Sequence, residues 1–100
     1  MTLSVTDNAN AHRFELAIDD DVAFIDYRIE PPQEAAGSPP VYVLEHTEVP
    51  ESLGGRGVGG QLVAGALAHI RDTGAKVRSE CSFVTHYLSR HGEYNDLVAA

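Results

Sequence analysis

Five glycines lie within seven positions in the middle of the chain: Gly54, Gly55, Gly57, Gly59 and Gly60. They connect an apolar run to a helical pattern. Glycine lets the backbone come close to a ligand and adopt positive φ values. The N–H groups at the start of the following helix are unpaired and carry a partial positive charge. Such a strand-to-helix connection can bind a pyrophosphate, and Arg56 could add a charge-assisted hydrogen bond.

The glycine pattern has a second interpretation, a flexible loop that only turns the chain. No Gly-Lys-Ser or Gly-Lys-Thr is present, so the loop does not match a P-loop. A dinucleotide-binding fold is disfavoured, because the glycines follow the third predicted strand and too little chain remains after them. On the residues alone, phosphate binding and a plain turn both stay open.

Cys81, the single cysteine, lies after a short strand pattern and before a helical one. A thiol at a helix N-terminus has a lowered pKa and can act as a nucleophile. The alternative is a small buried apolar residue, the common state of an isolated cysteine. The chain can form no intramolecular disulfide, and the cysteine and five histidines lack the spacing of a metal site.

His46 lies in the middle of the third predicted strand, at residues 41–49. An imidazole on a sheet face beside a βαβ crevice could act as a general base, and a hydrogen-bonded structural role is the alternative. His86 and His91 are predicted to be ordinary helix residues. Strict alternation places Tyr42, Leu44, His46 and Glu48 on one face of the strand, and Val43, Glu45, Thr47 and Val49 on the other.

The length and net charge of the chain limit the number of domains and the classes of binding partner that it can have. One hundred residues make one domain. The formal net charge of −8 argues against nucleic-acid binding and anionic membrane surfaces, and is compatible with a cationic or amine substrate. No apolar run is long enough to cross a membrane, and the N-terminus lacks the parts of a signal peptide. We therefore expect a cytoplasmic protein.

The predicted element order is β-β-loop-β-α-β-α, an α+β fold with a mixed sheet. Alternation predicts strands at residues 13–18 and 22–30, joined into an antiparallel hairpin by three aspartates. The second strand has a fully apolar face: Ala23, Ile25, Tyr27 and Ile29. Prolines predict a loop over residues 31–40. The third strand, a helix and a strand at residues 76–80 form a βαβ unit, so these strands should be parallel.

Two helices are predicted from apolar stripes. The first begins at Val58 and is capped by Gly74, with a stripe of six residues: Val58, Leu62, Val63, Ala66, Leu67 and Ile70. The second should be capped by the Ser82 hydroxyl and end at Gly92. Its stripe consists of Phe83, Val84, Tyr87, Leu88 and His91.

Four motifs, in this order, resemble the small single-domain branch of the GNAT acetyltransferase superfamily, the Yjdj-type N-acetyltransferase domain. They are His-Thr-Glu-Val-Pro at residues 46–50, Gly-Val-Gly-Gly-Gln-Leu-Val at 57–63, Cys-Ser-Phe-Val at 81–84 and His-Gly-Glu-Tyr at 91–94. The resemblance covers about residues 12–98.

The resemblance implies an acetyl-CoA site. The loop and first helical turn would hold the pyrophosphate, through Arg56, Gly57, Val58, Gly59 and Gly60. The strand end would pair with the pantetheine arm, through Thr47, Glu48 and Val49, and a backbone N–H there could polarise the thioester carbonyl. His46 and Cys81 would lie near the thioester, on either side of a gap between two parallel strands.

The sequence departs from the family pattern at three positions. Gly54 stands where the wider superfamily has Arg or Gln, whereas Ser82 and Gly92 stand where this branch has proline. None of these changes removes a backbone donor. The chain also has no room for the long helices that cover the amine substrate in typical members, so the acceptor site should be open.

Two functions follow from the resemblance. One is an N-acetyltransferase that acts on an unidentified amine or protein acceptor, either directly, with His46 or Glu48 as the base, or through Cys81. The other is a non-catalytic module that binds CoA or another protein. For either function we expect a monomer or weak homodimer without a nucleic-acid, membrane or metal partner.

Overall fold

The predicted hairpin lies within a five-stranded mixed sheet. In the computed structural model, which describes residues 4–30, 39–54 and 57–99, the strand order is β1-β2-β3-β4-β5. The strands span Thr6–Asn8 (β1), Arg13–Ile18 (β2), Asp21–Glu30 (β3), Val41–Glu48 (β4) and Lys76–Ser79 (β5). Neighbours are antiparallel except β4 and β5, which are parallel as the βαβ pattern predicts. The predicted α+β class is confirmed.

Helix α1 spans Val58–Thr73 and connects β4 to β5. It begins at the predicted residue and ends at Gly74, which has a φ of 78° and donates its N–H to the carbonyls of Arg71 and Ile70. All six residues of the predicted stripe are buried. The apolar period therefore identifies both the bounds and the buried face of this helix.

Helix α2 spans Ser82–Arg90 and differs from the prediction at both ends. Cys81 occupies the N-cap position with extended backbone, so Ser82 is already helical and makes no side-chain cap hydrogen bond. His91 follows the last helical residue, and Gly92 begins a 3₁₀ helix over Gly92–Leu97. The chain therefore leaves α2 before the glycine.

Burial on α2 is also smaller than its apolar stripe predicts. Val84 alone is buried in this helix, whereas Phe83 is 45% exposed. Tyr87 and Leu88 are partly buried against the core. The helix contacts the sheet at β4 and β5, so only one line of its side chains reaches the interior.

The core lies between α1 and one face of the sheet. Phe14, Tyr27 and Tyr42 form an aromatic cluster there, with ring centroids 4.9 to 5.9 Å apart. Leu16 belongs to the same core, and Ile18 packs partly buried at its margin. Ile29, on the apolar face of β3, is 49% exposed, because it lies next to the end of the strand, where the buried part of the face stops.

The opposite face of the sheet is polar and carries an ion-pair network. Arg28 on β3 contacts Glu45 at 2.6 Å and Glu80 at 2.9 Å. Arg78 on β5 pairs with Glu30. Val43 lies between the two arginines in the strand register and is fully buried. The network ties β3 and β4 to the segment that leads from β5 into α2.

Candidate active site

The hydrogen-bonded pairing of β4 with β5 stops part-way along β4. The last pair is Leu44 with Ser79, followed by one bond from the Glu80 N–H to the Leu44 carbonyl (2.9 Å). Beyond it, β4 continues to Glu48, whereas the segment after β5 turns away into α2. Within the described residues, this end of β4 has an edge that β5 does not cover. An extended ligand can pair with such an edge through backbone hydrogen bonds.

A β-bulge in β4 lies where the uncovered edge begins. Tyr27 is opposite Leu44, but the next residue, Asp26, is opposite His46, so Glu45 is an extra residue on β4. A bulge shifts the alternation of all residues that follow it. Residues directly opposite each other share a face, so Leu44 lies on the core face with Tyr27, and His46 lies on the polar face with Asp26.

The bulge overturns the strict alternation predicted for this strand. His46 and Leu44 were expected on one face, and the structure places them on opposite faces. Thr47 consequently points toward the core side, where its Oγ1 lies 3.4 Å from the sulfur of Cys81. The extra residue thus decides which strand side chain meets the thiol.

Cys81 lies at the junction of the uncovered edge and the N-terminus of α2. Burial, the largest single influence, raises the pKa of its thiol, but the hydrogen bond with the Thr47 hydroxyl and those from nearby backbone groups together outweigh burial, so the pKa is lowered. The backbone N–H groups of Val84, Phe83 and Thr47 lower this pKa further. Because α2 has no side-chain cap hydrogen bond, its N–H groups act on the sulfur as dipoles. The site therefore increases the fraction of thiolate, the nucleophilic form, relative to an ordinary cysteine.

His46 has a different environment from Cys81. Its Nε2 lies 2.8 Å from a carboxylate oxygen of Glu48, two residues along the same face, and the two side chains are 59% and 56% exposed. Thr47 lies between them in sequence and points to the other face. The structure thus brings Cys81 to Thr47, and pairs His46 with Glu48 on the face of the sheet that carries the ion pairs.

The glycine-rich segment leads directly into α1. Gly57 is the N-cap residue, with a φ of 71° that a side chain would strain. No acidic residue lies in the first turn of α1 to compensate its N-terminal charge. Val58 is buried, and Val49 packs partly buried against the core. Gly55 and Arg56 lie outside the described residues, so the contact between Arg56 and the pyrophosphate stays a prediction.

The N-termini of the two helices meet at a glycine. A Cβ atom built on Gly59 would lie 2.6 Å from Cζ of Phe83, so the ring packs directly on the backbone of Gly59. A Cβ on Gly60 would lie 3.8 Å from the ring of Tyr87, an ordinary contact. Gly59 therefore has a packing requirement that the sequence did not reveal, in addition to any contact with a ligand.

A shallow cleft of about 600 Å³ opens beside Cys81, on the exposed side of α2. Seven residues with polar side chains line it: Ser79, Glu80, Cys81, Ser82, Thr85, His86 and Ser89. Ser79 and Thr85 are joined by their hydroxyls at 2.8 Å. The cleft offers hydrogen-bonding groups next to the residue with the lowered thiol pKa.

The sequence matches the family described as GCN5-related N-acetyl-transferase over residues 13–97. The chain belongs to this family. A comparison with curated proteins found no match. The family match supports the acetyltransferase resemblance at the level of the superfamily and leaves the Yjdj-type branch as a prediction.

Membership of the GCN5-related family indicates which ligands to consider for the observed site. The family generally uses acetyl-CoA and an acceptor. None of the helices in the described part of the chain is long and apolar enough to span a membrane. Across the same residues, no group of three His, Cys, Asp or Glu side chains could hold a metal ion.

Proposed function

We propose that the chain is an acetyl-CoA-dependent N-acetyltransferase in which Cys81 is the first acceptor of the acetyl group. The single observation that carries this proposal is the position of the Cys81 thiol. It lies beside an uncovered strand edge, 3.4 Å from the Thr47 hydroxyl, with its pKa lowered. Membership of the GCN5-related family supports acetyl-CoA as the acetyl donor.

The proposed binding mode uses backbone groups. Thr47, Glu48 and Val49 would pair with the pantetheine arm along the uncovered edge. The first turn of α1, at Gly57 to Gly60, would hold the pyrophosphate through its free N–H groups. Arg56 would add its guanidinium to the same phosphates. The lack of a side chain at Gly57 keeps this turn accessible, since no described residue other than its chain neighbours lies within 4 Å of the position of its Cβ.

In the proposed reaction the Cys81 thiolate attacks the thioester carbonyl, and CoA leaves as its thiolate. The acetyl group is then bound to Sγ as a thioester. A neutral amine attacks that carbonyl, the nitrogen loses a proton to a base, and the Cys81 thiolate is released. Thr47 stabilises the thiolate at the beginning and the end of this cycle.

Direct transfer from acetyl-CoA to the amine is the alternative route. His46 would then accept the proton of the amine, with Glu48 orienting the imidazole through the 2.8 Å contact. Intact mass after incubation with acetyl-CoA separates the two routes. The covalent route requires a gain of one acetyl group in the wild type and none in Cys81→Ser, and a wild type of unchanged mass contradicts it.

A non-catalytic module that binds CoA or another protein is the second candidate. It is favoured by the exposed setting of His46 and Glu48 and by the absence of covering helices between β2 and β3, which are joined by a tight turn. Binding of CoA without acetyl transfer to a panel of amines would support this candidate. Failure to bind CoA in a calorimetric titration would reject the transferase and the CoA-binding module together.

A matched pair of variants tests the phosphate site. Gly57→Glu places a carboxylate at the N-terminus of α1, and Gly74→Glu places the same group at its C-terminus. Both glycines have left-handed backbone, with φ values of 71° and 78°, and among the described residues nothing fills the space at either Cβ. We expect Gly57→Glu to abolish CoA binding because of charge repulsion with the phosphates, and Gly74→Glu to bind as the wild type does.

A further inference from the structure

Phe83 is an exposed aromatic residue in the first turn of α2, next to the proposed cofactor site. It is 45% exposed, although it belongs to the apolar stripe of α2. It follows Cys81 by two residues, about half a turn of helix. The tip of its ring packs on Gly59, in the first turn of α1. The backbone N–H of Phe83 thus acts on the Cys81 thiol, and its ring contacts one of the glycines proposed to hold the pyrophosphate.

The tip of the ring makes its close contact with the backbone of Gly59, and nearly half of the residue is exposed. Exposing such a ring to water has a cost in free energy that a ligand covering it would remove. The pantetheine arm joins a thioester to a pyrophosphate. A ligand bound at both Cys81 and the N-terminus of α1 would lie close to Phe83, whose backbone N–H acts on the thiol and whose ring packs on Gly59.

We propose that Phe83 is a binding residue for the pantetheine arm of CoA, with its ring forming the apolar surface on which the arm lies. The inference rests on the proposed function. It adds a side chain to a site otherwise made of backbone groups. It also gives Gly59 a specific role, which is to leave room for the ring of Phe83. Any larger residue at position 59 would displace the ring.

Calorimetric titration with two probes tests the proposal. The probes are CoA, which contains the arm, and adenosine 3′,5′-bisphosphate, which lacks it. We expect Phe83→Ala to weaken CoA binding by about tenfold, as loss of a modest apolar contact predicts, and to change binding of the bisphosphate by less than about twofold. Phe83→Leu, which keeps an apolar side chain, should weaken CoA binding by less than Phe83→Ala.

Ile29→Ala is the matched control, since it removes an exposed apolar side chain from β3, and Ile29 is 49% exposed. It should bind both probes as the wild type does. If the wild type binds CoA and Phe83→Ala binds it equally well, the assignment of Phe83 is wrong and the proposed function stands. A wild type that binds no CoA overturns the proposed function and this assignment together. Phe83→Leu provides the same comparison if Phe83→Ala does not fold.

Discussion

The Oγ1 atom of Thr47 lies 3.4 Å from the sulfur of Cys81, across the point where β4 and the chain after β5 diverge. This contact joins a strand to the N-terminus of a helix, and it is the largest of the influences that lower the pKa of the thiol. It depends on the bulge at Glu45, which turns Thr47 to the core side. A backbone irregularity thus sets the chemistry of a side chain on another element.

Thr47→Val should reduce the reactivity of the thiol. Valine has the shape of threonine but no hydroxyl, so the pKa of Cys81 should rise and less thiolate should be present at neutral pH. We expect alkylation by iodoacetamide at pH 7 to slow by a factor of about two to five. The pH profile of the alkylation rate should shift to higher pH.

Thr85→Val is the control for the Thr47 variant. The Thr85 hydroxyl bonds to Ser79 at 2.8 Å and is not among the groups that lower the pKa of Cys81. Its profile should match that of the wild type. Equal profiles for Thr47→Val and the wild type would show that the Thr47 hydroxyl does not act on the thiol.

Tyr27→Phe should change how stability depends on alkaline pH. Burial and the 2.6 Å hydrogen bond to Asp7 raise the pKa of Tyr27 above its ordinary value of 10. Above about pH 10 the unfolded chain loses this proton and the folded protein keeps it, so the free energy of unfolding falls as pH rises. The contribution of the hydroxyl is complete below pH 10 and is lost above it.

Urea unfolding from pH 7 to 11 measures this effect. At pH 7 we expect Tyr27→Phe to be less stable than the wild type by about 1 kcal/mol, the net value of one hydrogen bond. The difference should shrink above pH 10. Asp7→Asn, which removes the charge beside the phenol, should weaken the alkaline dependence without removing it. A difference that stays constant up to pH 11 would contradict the raised pKa.

Gly65→Ala should destabilise the protein, although alanine normally stabilises a helix interior relative to glycine by about 1 kcal/mol. A Cβ at position 65 would lie 2.6 Å from the Cβ of Val5, in the segment that precedes β1. We expect a loss of about 1–3 kcal/mol in the free energy of unfolding, as for overpacking. In a Val5→Gly background the same substitution should become stabilising. A loss of equal size in both backgrounds would rule out Val5 as its cause.

Much of the fold could be predicted from the sequence because the periodic signals are strong and local. The six apolar positions of α1 recur at helical spacing and are all buried, and Gly74 takes the left-handed conformation expected of it. The strand at residues 13–18 has the predicted bounds, since its alternation is uninterrupted. The parallel pairing of β4 and β5 follows from the βαβ order.

The candidate site was predicted less completely, because its geometry depends on features without a composition signal. The bulge at Glu45 adds one residue without a glycine or proline to mark it, so strict alternation assigns His46 to the wrong face. The contact between Phe83 and Gly59 joins residues far apart in sequence. Serine is a common N-cap and therefore predicts the cap of α2 at Ser82, whereas Cys81 occupies the position.

The orientation of His46 leads to a prediction that does not depend on any ligand. Its Nε2 lies 2.8 Å from a carboxylate oxygen of Glu48, and a carboxylate can only accept a hydrogen bond. The neutral imidazole must therefore carry its proton on Nε2, which leaves Nδ1 with the lone pair that could accept a proton from an amine. Long-range ¹H–¹⁵N correlation spectra distinguish the two tautomers, and we expect the Nε2–H form for His46.

Glu48→Ala removes the acceptor and should leave His46 as a mixture of both tautomers, whereas Glu48→Gln can still accept through its amide oxygen and should keep mainly the Nε2–H form. His86 is an internal reference, because its Nε2 accepts a hydrogen bond from Nε of Arg90 at 3.1 Å and its proton must lie on Nδ1. If His46 in the wild type carries its proton on Nδ1, Glu48 does not orient the imidazole, and the direct route of acetyl transfer loses the arrangement on which it depends.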